Sequence, residues 1–346
     1  MTARNNRNTA IEALRFIVML QICLWHYHDG IGTMQAGFIG VEFFFILSGI
    51  FLYRTATRSQ SPGILEFTLR KAGKFYIDYL MAIIAAYIVF MPNLIEAFRY
   101  DTLHTLLQPI GQLLMIQNIG PFYGGINTPL WFFSVLIYGG AIVYALTKYH
   151  TRMSIRIIFP LTTLLFFSYA FNYGHGDGLE QWRAVGAFPM PMVRGIADIA
   201  LGVMLGYIIF NYMPVIQRHT RTLDVATLLA TAGYIAIVAR SRADTSYAII
   251  FIAIILTAAL NGQSAIHRLF KSRKWLIMGG VTFDLFLIHY PLIAAVSGTA
   301  KLLHLPAVYS HAAYIIILIP AAFIFKAIAD RLRKTLASRH NPTQNQ

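Results

Sequence analysis

The sequence predicts an all-α, polytopic membrane helix bundle of about ten spans with both termini cytoplasmic. Three observations predict it. Hydrophobic residues make up 57% of the 346 residues and charged residues only 12%, about half the charge of an average soluble domain, and mean hydropathy is +0.59. Ten apolar segments, most of them long enough to cross a bilayer core as a helix, lie near 10–28, 37–53, 75–93, 130–147, 156–172, 194–213, 223–239, 245–262, 275–297 and 309–328. With the N-terminus inside, 21 of the 28 Lys and Arg fall on the cytoplasmic side and 6 on the other, Arg15 lying within the first span, as the positive-inside rule requires. Nine or eleven spans would put the last two basic clusters, Arg268 to Lys274 and Lys326 to Arg339, on opposite sides. The net charge of +14 therefore reads as topology and contact with anionic lipid, not nucleic acid. Cys23 is the one cysteine, which excludes an intrachain disulfide. Residues 1–346 are expected to form one integral membrane domain, with a short basic cytoplasmic tail at 329–346, in the cytoplasmic membrane.

The first span, Ile11 to Tyr27, organises the rest. Arg4 and Arg7 precede it, as in a signal peptide, but no small-residue cleavage site follows, so it reads as an uncleaved span. Arg15 and His26 are eleven residues apart, almost three whole helical turns, so they share one face about 16 Å apart along the axis. Ionisable groups in a membrane helix face a protein interior or a wet cavity. Two on one face suggest a polar column. The alternative is an Arg that snorkels at one end and an interfacial His at the other.

The second span opens Gly40-Val41-Glu42 with Glu42 near the outer surface, and carries Ser48-Gly49 deeper. On spacing alone, Ser48-Gly49 reads first as a helix-packing pair. The fourth span starts Asn127-Thr128-Pro129-Leu130-Trp131, with Trp131 at a membrane boundary. In the sixth, Arg194 and Asp198 are spaced to pair along one helix. The ninth reads Trp275 to Pro291, with Gly279-Gly280, Thr282, Asp284 and His289 inside it. His289 reaches about the depth of His26 in the outer half. Pro291 frees the carbonyl of Leu287 and is expected to kink the helix beside His289. Asp284 points to another face, toward a third helix. Two mixed-polarity outer loops are candidate acceptor contacts: 94–129, with Glu96, Asp101, His104, Asn118 and Asn127, and 173–193, with His175, Asp177, Glu180, Trp182 and Arg183.

Together these stretches resemble the acyltransferase type 3 family of integral membrane acyltransferases. Arg15 and His26, with Glu12, resemble its Arg-x10-His motif. Gly40 to Gly49 resembles its Gly-Val-x-x-Phe-Phe-x-x-Ser-Gly stretch, Arg70-Lys71-Ala-Gly-Lys74 its basic pattern on a cytoplasmic loop, Asn127 to Ser134 its Trp motif, and Thr282 to Pro291 its His-x-Pro ending. Ile77 stands where a Pro is usual and Leu136 where a Glu is common, which leaves subgroup and acceptor open. The resemblance implies transfer of an acyl group from cytoplasmic acyl-CoA to a hydroxyl, usually on a cell-envelope glycan. It implies no soluble esterase-like domain here, since the chain ends in the short tail.

On that reading Arg15, Arg70, Lys71 and Lys74 meet the CoA phosphates. His26 acts as general base or transient acyl carrier, and His289 is a second base or an orienting partner. Ser48 bonds the thioester oxygen, and Glu12 and Trp131 complete the substrate contacts. Cys23 is a remote acyl-carrier candidate, since a lone membrane Cys is usually packing. No metal and no permanently bound cofactor are expected; acyl-CoA, acetyl-CoA above all, is the donor substrate, and an envelope saccharide or glycolipid and the bilayer are the partners. A different class, a transporter or flippase of glycan precursors with helices broken at Pro160, Pro291 and Pro320, uses the same cavity without covalent chemistry. Transfer to a small molecule or antibiotic is a third reading.

Overall fold

The computed structural model describes residues 7–27, 34–91, 95, 102–117, 119, 122, 124–173, 184–185, 188–240 and 243–340. The chain forms helices α1 (Thr9–His26), α2 (Gly40–Ala56), α3 (Ile64–Val89), α4 (Thr102–Leu113), α5 (Thr128–Tyr149), α6 (Thr151–Ala170), α7 (Met190–Arg218), α8 (Thr220–Arg240), α9 (Thr245–Leu260), α10 (Ala265–Leu269), α11 (Lys274–Gly280), α12 (Thr282–Leu302) and α13 (Ala307–His340). Nine of them, among the described residues, are long and apolar enough to cross a membrane; the tenth expected span is the shorter apolar helix α9. The protein is a multi-pass helix bundle. Extended structure among the described residues is limited to Ala184–Val185 paired with Phe188–Pro189 and the Ile119–Phe122 bridge.

Local chemistry sets the start of α1. The Asn8 side-chain oxygen accepts from the N–H groups of Ala10 and Ile11 at 2.9 and 3.1 Å, Glu12 sits in the first turn, and both favour a helix N-terminus. The Asn8 amide also donates to the Ala259 carbonyl at 3.0 Å, which ties α1 to α9. The tightest helix crossing is α2 on α7. A Cβ built on Gly49 would run into the Ile199 carbonyl oxygen, and one on Gly202 into the Ile46 carbonyl oxygen, so only glycine allows this approach.

Several boundaries differ from the sequence expectation. Helix α3 begins at Ile64, so Arg70, Lys71 and Lys74 stand on its first turns and not on a loop; Glu66 pairs with Arg70 one turn on. The ninth span breaks at Val281 into α11 and α12, next to Gly279-Gly280, where helix propensity is poor. Helix α12 runs through Pro291 and α13 through Pro320, whereas α7 kinks at Tyr212, two residues before Pro214. Residues 329–340 continue α13 as helix, with Arg333 paired to Asp78 of α3 and to Asp330. The stretch 94–129 holds α4. His28, Glu96, Asp101, Asn118, His175, Asp177, Glu180, Trp182, Arg183 and the His104 side chain lie outside the described residues.

Candidate functional site

Helices α1, α2, α3, α5, α7, α9 and α12 line a partly open cavity of about 870 Å³, in the size range of small-molecule and cofactor sites. Its α1 wall is Asn8, Ile11, Glu12, Arg15, Met19 and Ile22, the three- and four-residue spacing of one helix face. His26 is the next position on that stripe. Helix direction puts Arg7, Arg15, Arg54, Lys71 and Lys74 at one end of the cavity. The walls beyond are aromatic, with Phe44, Phe75, Phe133, Phe210 and Phe286 from five helices and Ser48 between them.

The cationic end is organised by Glu12. Its buried carboxylate accepts from Arg7 Nε at 3.0 Å, from Arg7 Nη2 at 2.5 Å and from Arg15 Nη1 at 2.9 Å. Gly279 of α11 makes room for it, since a Cβ there would meet the Glu12 carboxylate. Arg15 uses one N–H on Glu12, keeps 28% of its side chain exposed at the cavity wall, and has further guanidinium donors for a ligand anion. Lys71, Lys74 and Arg54 lie over the rings of Phe67, Phe75 and Phe210 at 5.5, 5.4 and 5.7 Å. Arg70 lies off this cavity: 73% exposed, it pairs with Glu66 and lines a separate hollow of about 380 Å³ with Thr55, Arg58 and Lys71.

Two imidazoles meet one turn beyond the last α1 and α12 residues on the cavity wall. The ring centroids of His26 and His289 are 5.1 Å apart, and Tyr290 lies 6.0 Å from His26. His289 is fully buried, and its Nδ1 is 2.7 Å from the Phe286 carbonyl oxygen. A carbonyl only accepts, so Nδ1 carries the proton and Nε2 is left as a bare acceptor with no hydrogen-bond partner. His289 thus has the tautomer of a base. Among the described residues no group of three or more His, Cys, Asp or Glu side chains could hold a metal ion.

The family model described as an acyltransferase domain matches residues 8–330. The chain belongs to this acyltransferase family. Among curated proteins, the O-acetyltransferase OatA of Staphylococcus aureus (strains NCTC 8325 / PS 47, COL and MRSA252) is 21% identical over 317 residues, 83% of this chain and 51% of the relative. The chain spans about half the length of the curated relatives it matches. No solved structure matches it.

In this chain the structure brings Glu12, Arg15, Ser48, Lys71 and Lys74 onto one cavity and His26 and His289 together beyond it. It does not bring Trp131 there. Trp131 is 5% exposed, packed near Phe45 with its ring centroid 6.0 Å from the Arg194 guanidinium, and does not line the cavity. Ser48 and Gly49 divide their work, Ser48 lining the cavity and Gly49 making the α2–α7 contact. Arg194 does not turn to Asp198 on its own helix. It pairs with Glu42 of α2, Nε to Oε1 at 2.5 Å, and Glu42 is fully buried. Both Asp198 carboxylate oxygens are without a hydrogen-bond partner. Asp284 is buried near Lys326 and Arg333 of α13 and Asp78 of α3. The Cys23 thiol is fully buried off the cavity, beside Tyr314, whose hydroxyl donates to the Cys23 carbonyl at 3.2 Å.

Sequence reading missed the aromatic walls, Arg54 as a cavity residue, and the role of Asn127. The signal for the last was present. A proline inside a buried helix leaves a carbonyl that some other donor has to satisfy.

Proposed function

We propose that the protein is a membrane O-acyltransferase that moves an acyl group, acetyl in the simplest case, from cytoplasmic acyl-CoA to a hydroxyl of an exported saccharide or glycolipid. The observation that carries this reading is one cavity with cations at one end and the His26–His289 pair beyond the other. The CoA phosphates bind at Arg15, Arg54, Lys71 and Lys74, where Arg15 offers a fork-like double contact. The pantetheine arm lies along the phenylalanines, and the thioester reaches the imidazoles with Ser48 beside its path. His26 accepts the proton of the acceptor hydroxyl while the oxygen attacks the thioester carbonyl. The tetrahedral intermediate collapses, the C–S bond breaks, and the proton leaves with the CoA thiol. His289, with Nδ1 committed to Phe286, offers Nε2 to orient or relay for His26. Glu12 holds Arg15 in place. The donor side is cytoplasmic, in the cytoplasmic membrane, and the name of the Staphylococcus relative, an O-acetyltransferase, supports the chemistry.

The test is mass spectrometry of envelope glycans from cells with and without the protein, together with transfer of labelled acyl from acyl-CoA in isolated membranes. Loss of one ester mass on an otherwise intact glycan supports the reading and names donor and acceptor. Loss of the glycan itself, with no transfer in membranes, overturns it in favour of transport.

A further inference from the structure

Helix α12 carries Pro291 two residues beyond His289. Proline has no N–H, so the carbonyl of Leu287, four residues earlier, has no helical donor. Leu287 is fully buried, where an unpaired carbonyl is costly. The deficit is met from another helix: Asn127 Nδ2 donates to the Leu287 carbonyl oxygen at 3.1 Å. Asn127 is itself fully buried and immediately precedes the 3₁₀ turn Thr128–Leu130 at the start of α5. Helix α12 runs through Pro291 with this carbonyl satisfied. The repaired turn, Leu287 to Pro291, contains His289, whose Nδ1 bond to Phe286 starts one residue before that turn. Phe286 in turn packs against Phe132 and Phe133 of α5, at 5.4 and 5.8 Å between centroids. Helix α5 therefore grips α12 on both sides of His289's attachment point, by rings at Phe286 and by an amide at Leu287.

We infer that Asn127 is a positioning residue for acyl transfer: its amide replaces the N–H that Pro291 lacks and so sets the angle at which His289 presents Nε2 to His26. This rests on the transfer reaction proposed above. Asn127 acts through Leu287, not on substrate. Its removal leaves the cationic donor end intact, because Arg15, Arg54, Lys71 and Lys74 stand on other helices.

The experiment is a cycle of Asn127→Leu, Pro291→Ala and both together, in detergent-solubilised or vesicle-reconstituted full chain, with labelled acyl-CoA as donor. Leu keeps the volume and lacks the donor. Pro291→Ala restores a backbone N–H at the position that bonds the Leu287 carbonyl, so the amide is no longer needed. Misplacing a catalytic group by about 1 Å costs about 10²-fold. The expected result is a kcat lowered about 10²-fold in Asn127→Leu with KM for acyl-CoA within about twofold, and recovery of at least about tenfold in the double variant. Tm should show the same pattern, with Asn127→Leu lowering it by several degrees in the wild-type background and by less in the Pro291→Ala background. Equal losses in both backgrounds, or a raised KM with unchanged kcat, overturn the inference while transfer by wild type stands. A wild type that moves no acyl group overturns the transfer reading and this inference with it. Should Asn127→Leu fail to fold, Asn127→Asp, of the same shape without the amide donor, is read in the same cycle.

Discussion

His26→Gln separates catalysis from packing. His26 ends α1, is half-buried, and makes ring contacts with Trp25, His289 and Tyr290 at 4.6, 5.1 and 6.0 Å between centroids. Gln retains much of that volume and some hydrogen bonding. Lost ring contacts are worth about 0.5–1.5 kcal/mol each beyond area burial, so a packing role predicts a protein somewhat less stable but unchanged in rate per folded molecule. Loss of a general base costs about 10²–10⁴-fold, equivalent to about 2.7–5.4 kcal/mol on the barrier. The two predictions differ in kind, because only the second survives normalisation to folded protein. The assay is transfer of labelled acyl from acyl-CoA to envelope glycan in membranes, with folded protein measured by size exclusion in detergent. His304→Gln, on an exposed turn after α12, is the control and should keep wild-type rate. A His26→Gln protein that transfers at more than about a third of the wild-type rate per folded molecule would refute base catalysis by this residue.

Arg15→Lys should weaken acyl-CoA binding by about 10-fold or more, since one ammonium must serve both Glu12 and a phosphate and has no planar fork; equilibrium binding of labelled acyl-CoA that matched wild type would rule out specific phosphate recognition by Arg15. Arg194→Leu should destabilise by about 3–5 kcal/mol, because it removes the buried cation that pairs with buried Glu42 beside buried Asp198; the double variant Glu42→Leu/Arg194→Leu should recover part of that loss, and thermal unfolding in detergent that showed no recovery would deny the pairing. A reporter active only in the cytoplasm should be active after Gln346 and silent within 174–183, and the reverse at either position would overturn the ten-span orientation.

The sequence alone determined what depends on neighbours along the chain. The helical-bundle class and the alignment of Arg15 with His26 follow from hydropathy and from 3.6 residues per turn, and α1 presents that stripe to the cavity. Pro291 likewise announced a bare carbonyl at Leu287. Which groups meet that stripe and that carbonyl was decided only by packing. Arg194 has a carboxylate at helical spacing, Asp198, yet pairs with Glu42 of α2, a helix that packs closely on α7 through Gly49 and Gly202. Trp131 looked interfacial because tryptophan favours that zone, but α5 is covered there by α2 and α7, so its ring fills the interior beside Arg194. The cations of α3 read as a loop because charge interrupts hydropathy, whereas a helix that leaves the bilayer keeps its backbone bonds and carries them on. Periodicity states which residues share a face; it does not state which face lies opposite, since that depends on the order and approach of helices far apart in sequence, and the Asn127–Leu287 bond, 160 residues long in sequence, exists only once those helices have packed.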